Sequence, residues 1–193
     1  MSRTIHSDAL EQVHELNRLF LDLLQRSGND GLARMRFPSE AREALRSADA
    51  FQIEAAAEFP RALFRIRIAA TPASASPALN ADFDARQILE LTLLYCVWTT
   101  CRESTYQARL FFGLSPREVH ALRTTPLSDL PVLASASLSL ACAFGDSAWL
   151  WRELLTETRP EVRRQLILVA LQPPAEAARF EAGGRAADRA RTR

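Results

Sequence analysis

The chain has 193 residues, enough for one or two small domains, and its 48% hydrophobic and 24% charged composition is that of an ordinary folded protein. A net charge of +1 excludes a strong overall pull toward nucleic acid or anionic membrane, and all 24 basic residues are arginine, which reads as codon bias. Three cysteines without C-x-x-C spacing argue against a disulfide framework or a zinc site, and scarce glycine with abundant alanine and leucine favours helices.

From the N-terminus, Met1 to Glu15 is polar and mixed in charge, without the apolar core of a secretory signal. The longest apolar stretch, near Leu166–Leu171, falls well short of the roughly 20 residues that cross a bilayer, so the expected location is the cytoplasm. Leu10, Val13, Leu16, Leu19, Phe20, Leu23 and Leu24 recur at three- and four-residue intervals and predict a helix over Asp8 to Arg26. Ser27 to Gly31 supplies the turn that ends it. A short helix over Leu32 to Phe37, a third from an N-cap at Ser39 through Arg46, and a fourth capped by Asp49 follow. The fourth would bury Phe51, Ile53 and Phe59. Phe64 to Ile68 alternates apolar with arginine and reads as a short strand or extended segment.

Residues 69–83, rich in alanine, serine and proline, form the natural linker. A long helix resumes at Asp84, with Ile88, Leu91, Leu94, Tyr95, Trp98 and Cys101 expected on its buried side. Residues 173–193 are expected to be a disordered tail. The two halves, 8–68 and 84–172, look like copies of one helical unit. Glu15-Leu16-x-x-Leu19-Phe20 returns as Glu90-Leu91-x-x-Leu94-Tyr95, and Ala33-Arg34-Met35-x-Phe37 as Ala108-Arg109-Leu110-x-Phe112. Ala44-Leu45-Arg46-Ser47 returns as Ala121-Leu122-Arg123-Thr124. The first two matches are offset by 75 (91 − 16) and the last by 77 (122 − 45), which places two extra residues in the turn of the second copy.

The sharpest local pattern runs from Ala108 to Leu122. Gly113 allows a left-handed turn, and Ser115-Pro116-Arg117-Glu118 has the form of a capping box with proline at the first helical position. A helix, a glycine turn and a capped helix form either a DNA-reading helix-turn-helix or a plain helical corner. In the first case Arg117, His120 and Arg123 would reach phosphates or bases; in the second they face solvent. No Walker loop, dinucleotide fingerprint, nucleophile elbow or histidine pair at ligand spacing is present, so no catalytic residue, cofactor or metal is expected. Trp98, Trp149 and Trp151 read as core or interface anchors.

From about Ile88 to Leu171 the order of features resembles the FlhD family of flagellar transcriptional-activator subunits. The turn from Ala108 through Gly113-Leu114, the segment Leu140-Ala141-Cys142-Ala143-Phe144, and Asp146-Ser147 with the helical faces that follow carry the resemblance. The first half fits more loosely, with Pro38 where the glycine would be and Arg65 near the cysteine position. The resemblance implies an all-α fold of two tandem FlhD-like units, each with a helix-turn-helix-like corner, packed as a pseudo-dimer within the chain. It further implies a transcriptional co-regulator acting at promoter DNA with a zinc-containing, FlhC-like protein partner, and self-association. Cys142 is then the candidate pairing-surface cysteine. Arg109, Arg117, His120 and Arg123, with Arg34, Arg36 and Arg46 in the first copy, are the candidate DNA or partner contacts. The rival expectation is an interaction module or anti-activator that mimics an activator subunit without touching DNA. Neither reading involves a membrane or a small-molecule substrate.

Overall fold

The computed structural model describes residues 2–68, 85–136, 138–157 and 159–171. They form a helical fold with several helices and one short antiparallel ribbon. Met1–Glu157 makes one compact unit and Thr158–Arg193 a second. The linker at 69–83 and the tail at 173–193 lie outside the described residues.

In the first half, α1 (Ser2–Arg26) is followed by α2 (Asn29–Arg34), a 3-10 turn at Ser39–Ala41, α3 (Arg42–Ser47), α4 (Ala50–Ala57) and β1 (Phe64–Ile68). The helical stripe of α1 buries Val13, Leu16, Phe20, Leu21 and Leu24, with α4 against it. Asp49 caps α4 as expected, and a reciprocal bond from the Asp49 amide to Gln52 completes a capping box. Ser39 does not cap α3: Pro38 takes the N-cap place of the 3-10 turn, and the serine hydroxyl bonds Glu40 instead. Phe51, expected inside, is 70% exposed.

The second half also runs through helices and a 3-10 turn to a strand, with the 3-10 turn placed later. It comprises α5 (Ala85–Glu103), α6 (Thr105–Phe112), α7 (Pro116–Thr124), a 3-10 turn at Leu127–Asp129, α8 (Leu130–Ala136) and β2 (Leu138–Cys142), then α9 (Ala148–Thr156). Helices α6, α7 and α8 pack on α5. The buried side of α5 is Leu93, Leu94, Val97, Trp98 and Cys101, whereas Ile88 and Tyr95 are about half exposed. The helix is apolar over most of its circumference, so spacing alone did not single out the inward face. In the unit that begins at Thr158, α10 spans Pro160–Leu171 with Glu161 in its first turn.

The strand expected at Phe64–Ile68 is present, and its partner is β2, for which helices were expected throughout. The register pairs Phe64 with Cys142, Ile66 with Leu140 and Ile68 with Leu138. Alternation buries Phe64 and Ile66 and leaves Arg65 and Arg67 in solvent. The ribbon thus joins a strand from each half inside one compact unit, and the Ala143 amide extends it by donating to the Leu63 carbonyl at 2.9 Å.

Candidate interaction surface at the helical corners

Each half turns a corner just after its second helix, and a left-handed residue makes each turn. In the second half this is Gly113, with φ of 64°, at the C-cap of α6. Ser115 then caps α7, accepting from the Glu118 amide at 3.3 Å, while the Ser115 amide donates to the Glu118 carboxylate at 2.7 Å. Pro116 occupies the first helical turn. In the first half the left-handed residue is Arg36, with φ of 56°, and Pro38 has an ordinary φ of −60°. The counterpart of Gly113 is therefore Arg36, not Pro38. Aligning the two left-handed residues gives an offset of 77 (113 − 36).

That register pairs Pro38, Ala41, Ala44 and Ala48 with Ser115, Glu118, Ala121 and Thr125. The first set is small and apolar because a helix lies on it. Helix α9 packs on the 3-10 turn, α3 and α4, and the Trp151 ring meets Phe37 edge-on at 5.1 Å between centroids. The Cys142 amide donates to the Met35 carbonyl at 2.7 Å, and a Cβ added to Gly145 would lie 2.7 Å from the Arg36 carbonyl oxygen. Pro38 and Ala41 are buried as a result. In the second half Ser115, Glu118 and Ala121 are exposed. The inner side of that corner is closed by the approach to β1: the Ala62 amide donates to the Phe111 carbonyl at 2.8 Å and Phe64 meets Phe112. Its outer side is open.

The candidate contact residues divide accordingly. Arg109, Arg117, His120 and Arg123 are all exposed on α6 and α7, and Arg123 reaches the Thr105 hydroxyl at 3.3 Å, which sets the end of α7 beside the start of α6. Arg34 and Arg36 are exposed around the first turn, and Arg46 at the end of α3 bonds the Asn29 side chain. Cys142 is buried on β2 opposite Phe64, at the pairing of the two halves within the chain, and burial pushes its thiol well above the ordinary range. Burial likewise pushes Cys101 up to about 11. Phe111 is buried.

Sequence reasoning missed Asn17. It is fully buried on α1; its amide nitrogen lies 2.9–3.2 Å from the carbonyls of Ala57, Phe59 and Arg61, and its oxygen accepts from the Leu63 amide at 2.8 Å. One side chain thereby fixes the segment that enters β1. A second feature is an acidic cleft of about 550 Å³ lined by Asp8, Glu11, Glu15 and Glu103. Among the described residues no three His, Cys, Asp or Glu side chains converge as metal ligands would, and no helix is long and apolar enough to cross a membrane.

No protein-family model, curated protein or solved structure matches this chain. The descriptions FlhD-like, DNA-binding and flagellum biogenesis are accordingly corrected: no comparison supports them, and what stands is a helical fold.

Proposed function

We propose that the protein is a non-enzymatic interaction module that docks a partner protein on the outer face of the α6–α7 corner, without contacting DNA itself. One observation carries this reading. Each half has a corner turned by a left-handed residue; α9 covers the first, and in the second the outward face of α7 is exposed and polar. The helix seated on the first corner supports reading a corner of this shape as one that accepts protein. A DNA-binding partner would make the chain a co-regulator of transcription, and a partner held away from its target would make it an anti-activator.

The test places a photo-crosslinking amino acid at Arg117 in one variant and at Arg46 in another, within cells that express the protein. Protein adducts at position 117 and few at 46 are expected, with no retardation of duplex DNA by the purified chain at physiological salt. Retardation that disappears on Arg117→Ala plus Arg123→Ala would overturn the reading, as would the absence of adducts at 117.

A further inference from the structure

We propose that the partner segment received by the open corner is acidic and carries bulky apolar side chains. The proposal rests on the docking reading above and names the chemistry of its occupant. Its ground is the exposed charge of the open corner, with the covered corner at the 77-residue offset beside it. On the covered corner the exposed charges are mixed, Glu40 and Glu43 with Arg34, Arg36 and Arg46; at the 77-residue offset the two glutamates give way to Arg117 and His120 on the open corner. Arg46 keeps its sign as Arg123. Arg109 on α6 adds a third exposed guanidinium to the open side. The one carboxylate on α6 and α7, Glu118, is already engaged by the Ser115 amide at 2.7 Å. Glu103, at the end of α5, lines the acidic cleft together with residues of α1. The charged groups of α6 and α7 left to face an occupant are therefore the three guanidiniums of Arg109, Arg117 and Arg123, and complementary charge favours an acidic occupant and suppresses a basic one.

Apolar surface on the same helices separates a protein from a nucleic acid. Tyr106 is 69% and Leu110 37% exposed, one turn apart on α6, with Arg109 between them in sequence. Aromatic and leucine side chains ringed by arginine form the pattern of a protein docking surface. The helix already resident on the first corner supplies the apolar half of the description: α9 is Ala-Trp-Leu-Trp-Arg-Glu-Leu-Leu-Thr.

Two labelled synthetic helical peptides test this on the full chain by fluorescence anisotropy. They share a leucine and tryptophan face and carry either glutamate or lysine at every polar position; a short DNA duplex is the third probe. The glutamate peptide is expected to bind, more weakly as salt rises, and to lose affinity roughly tenfold or more on Arg117→Glu plus Arg123→Glu. Both arginines are exposed, so the circular dichroism of the variant should match the parent. Equal or tighter binding of the lysine peptide, an unaffected charge-reversed variant, or preference for the duplex would overturn the proposal. Adducts at position 117 that persist when Arg109→Glu plus Arg123→Glu are added to the crosslinking variant would leave the docking reading standing while the acidic partner falls. No adducts and no peptide binding would bring down both.

Discussion

Asn17 shows how much of this fold hangs on one polar side chain. Its carboxamide serves backbone groups of Ala57, Phe59, Arg61 and Leu63, all remote in sequence, and water cannot replace it at a fully buried site. Asn17→Ala strands several of these groups, so a loss of about 2–4 kcal/mol is expected in urea unfolding; a loss under about 0.5 kcal/mol would refute the assignment. Arg36 works in the opposite direction. A non-glycine residue held at φ of 56° carries strain, and Arg36→Gly should raise stability by up to about 1 kcal/mol in the same assay. His14 adds a pH dependence. Burial lowers its pKa from the ordinary 6.5, although Glu58 and Glu11 pull the other way. The folded state therefore prefers the neutral ring. Its contribution is intact above pH about 6.5 and is lost as pH falls through the lowered folded value. Unfolding midpoints should decline in that window in the parent and less so in His14→Gln.

The α6–α7 corner was legible in advance because everything that makes it lies within eleven residues, from Ala108 to Glu118. Glycine at the left-handed place, serine at the N-cap, proline at the first turn and glutamate at N3 each act locally, and the structure has all four. Ser115→Ala removes the acceptor for the Glu118 amide and should cost about 1 kcal/mol, read from thermal unfolding; exposure of the site argues against a larger effect. The first corner was misread for a related reason. No glycine marks it, and Pro38 drew attention from Arg36, whose conformation is imposed by Gly145 and Cys142 more than a hundred residues away. The β2 strand was likewise hidden. Leu138 to Cys142 alternates weakly, and only pairing with Phe64–Ile68 makes it a strand. The seat of α9 on α3 and α4 is a tertiary contact of the same kind, and without it the open and covered corners cannot be told apart in the sequence.

The two halves share one compact unit, and this decides how the molecule should unfold. The ribbon takes a strand from each half, α9 follows the second half in sequence but lies on the first, and Ala62 bonds Phe111 across the divide. Shared strands and an exchanged helix leave neither half with a closed core of its own. Small units of this size unfold as one when their cores are continuous. Leu45 is fully buried on α3 in the first half, and Leu45→Ala should cost about 2–5 kcal/mol by opening a cavity there. Trp98, on α5 with its indole N–H bonded to the Thr125 carbonyl at 2.9 Å, reports the second half. In a background where Trp149 and Trp151 are phenylalanine, fluorescence follows Trp98 alone while far-ultraviolet circular dichroism follows all helices. If the unit is cooperative, Leu45→Ala moves both transitions to the same lower denaturant midpoint. A Trp98 transition that stays in place while the dichroism shifts would mean that the halves fold independently. The covered first corner would then no longer be a fixed platform for the open second one, because α9 could leave its seat without disturbing α5, α6 and α7.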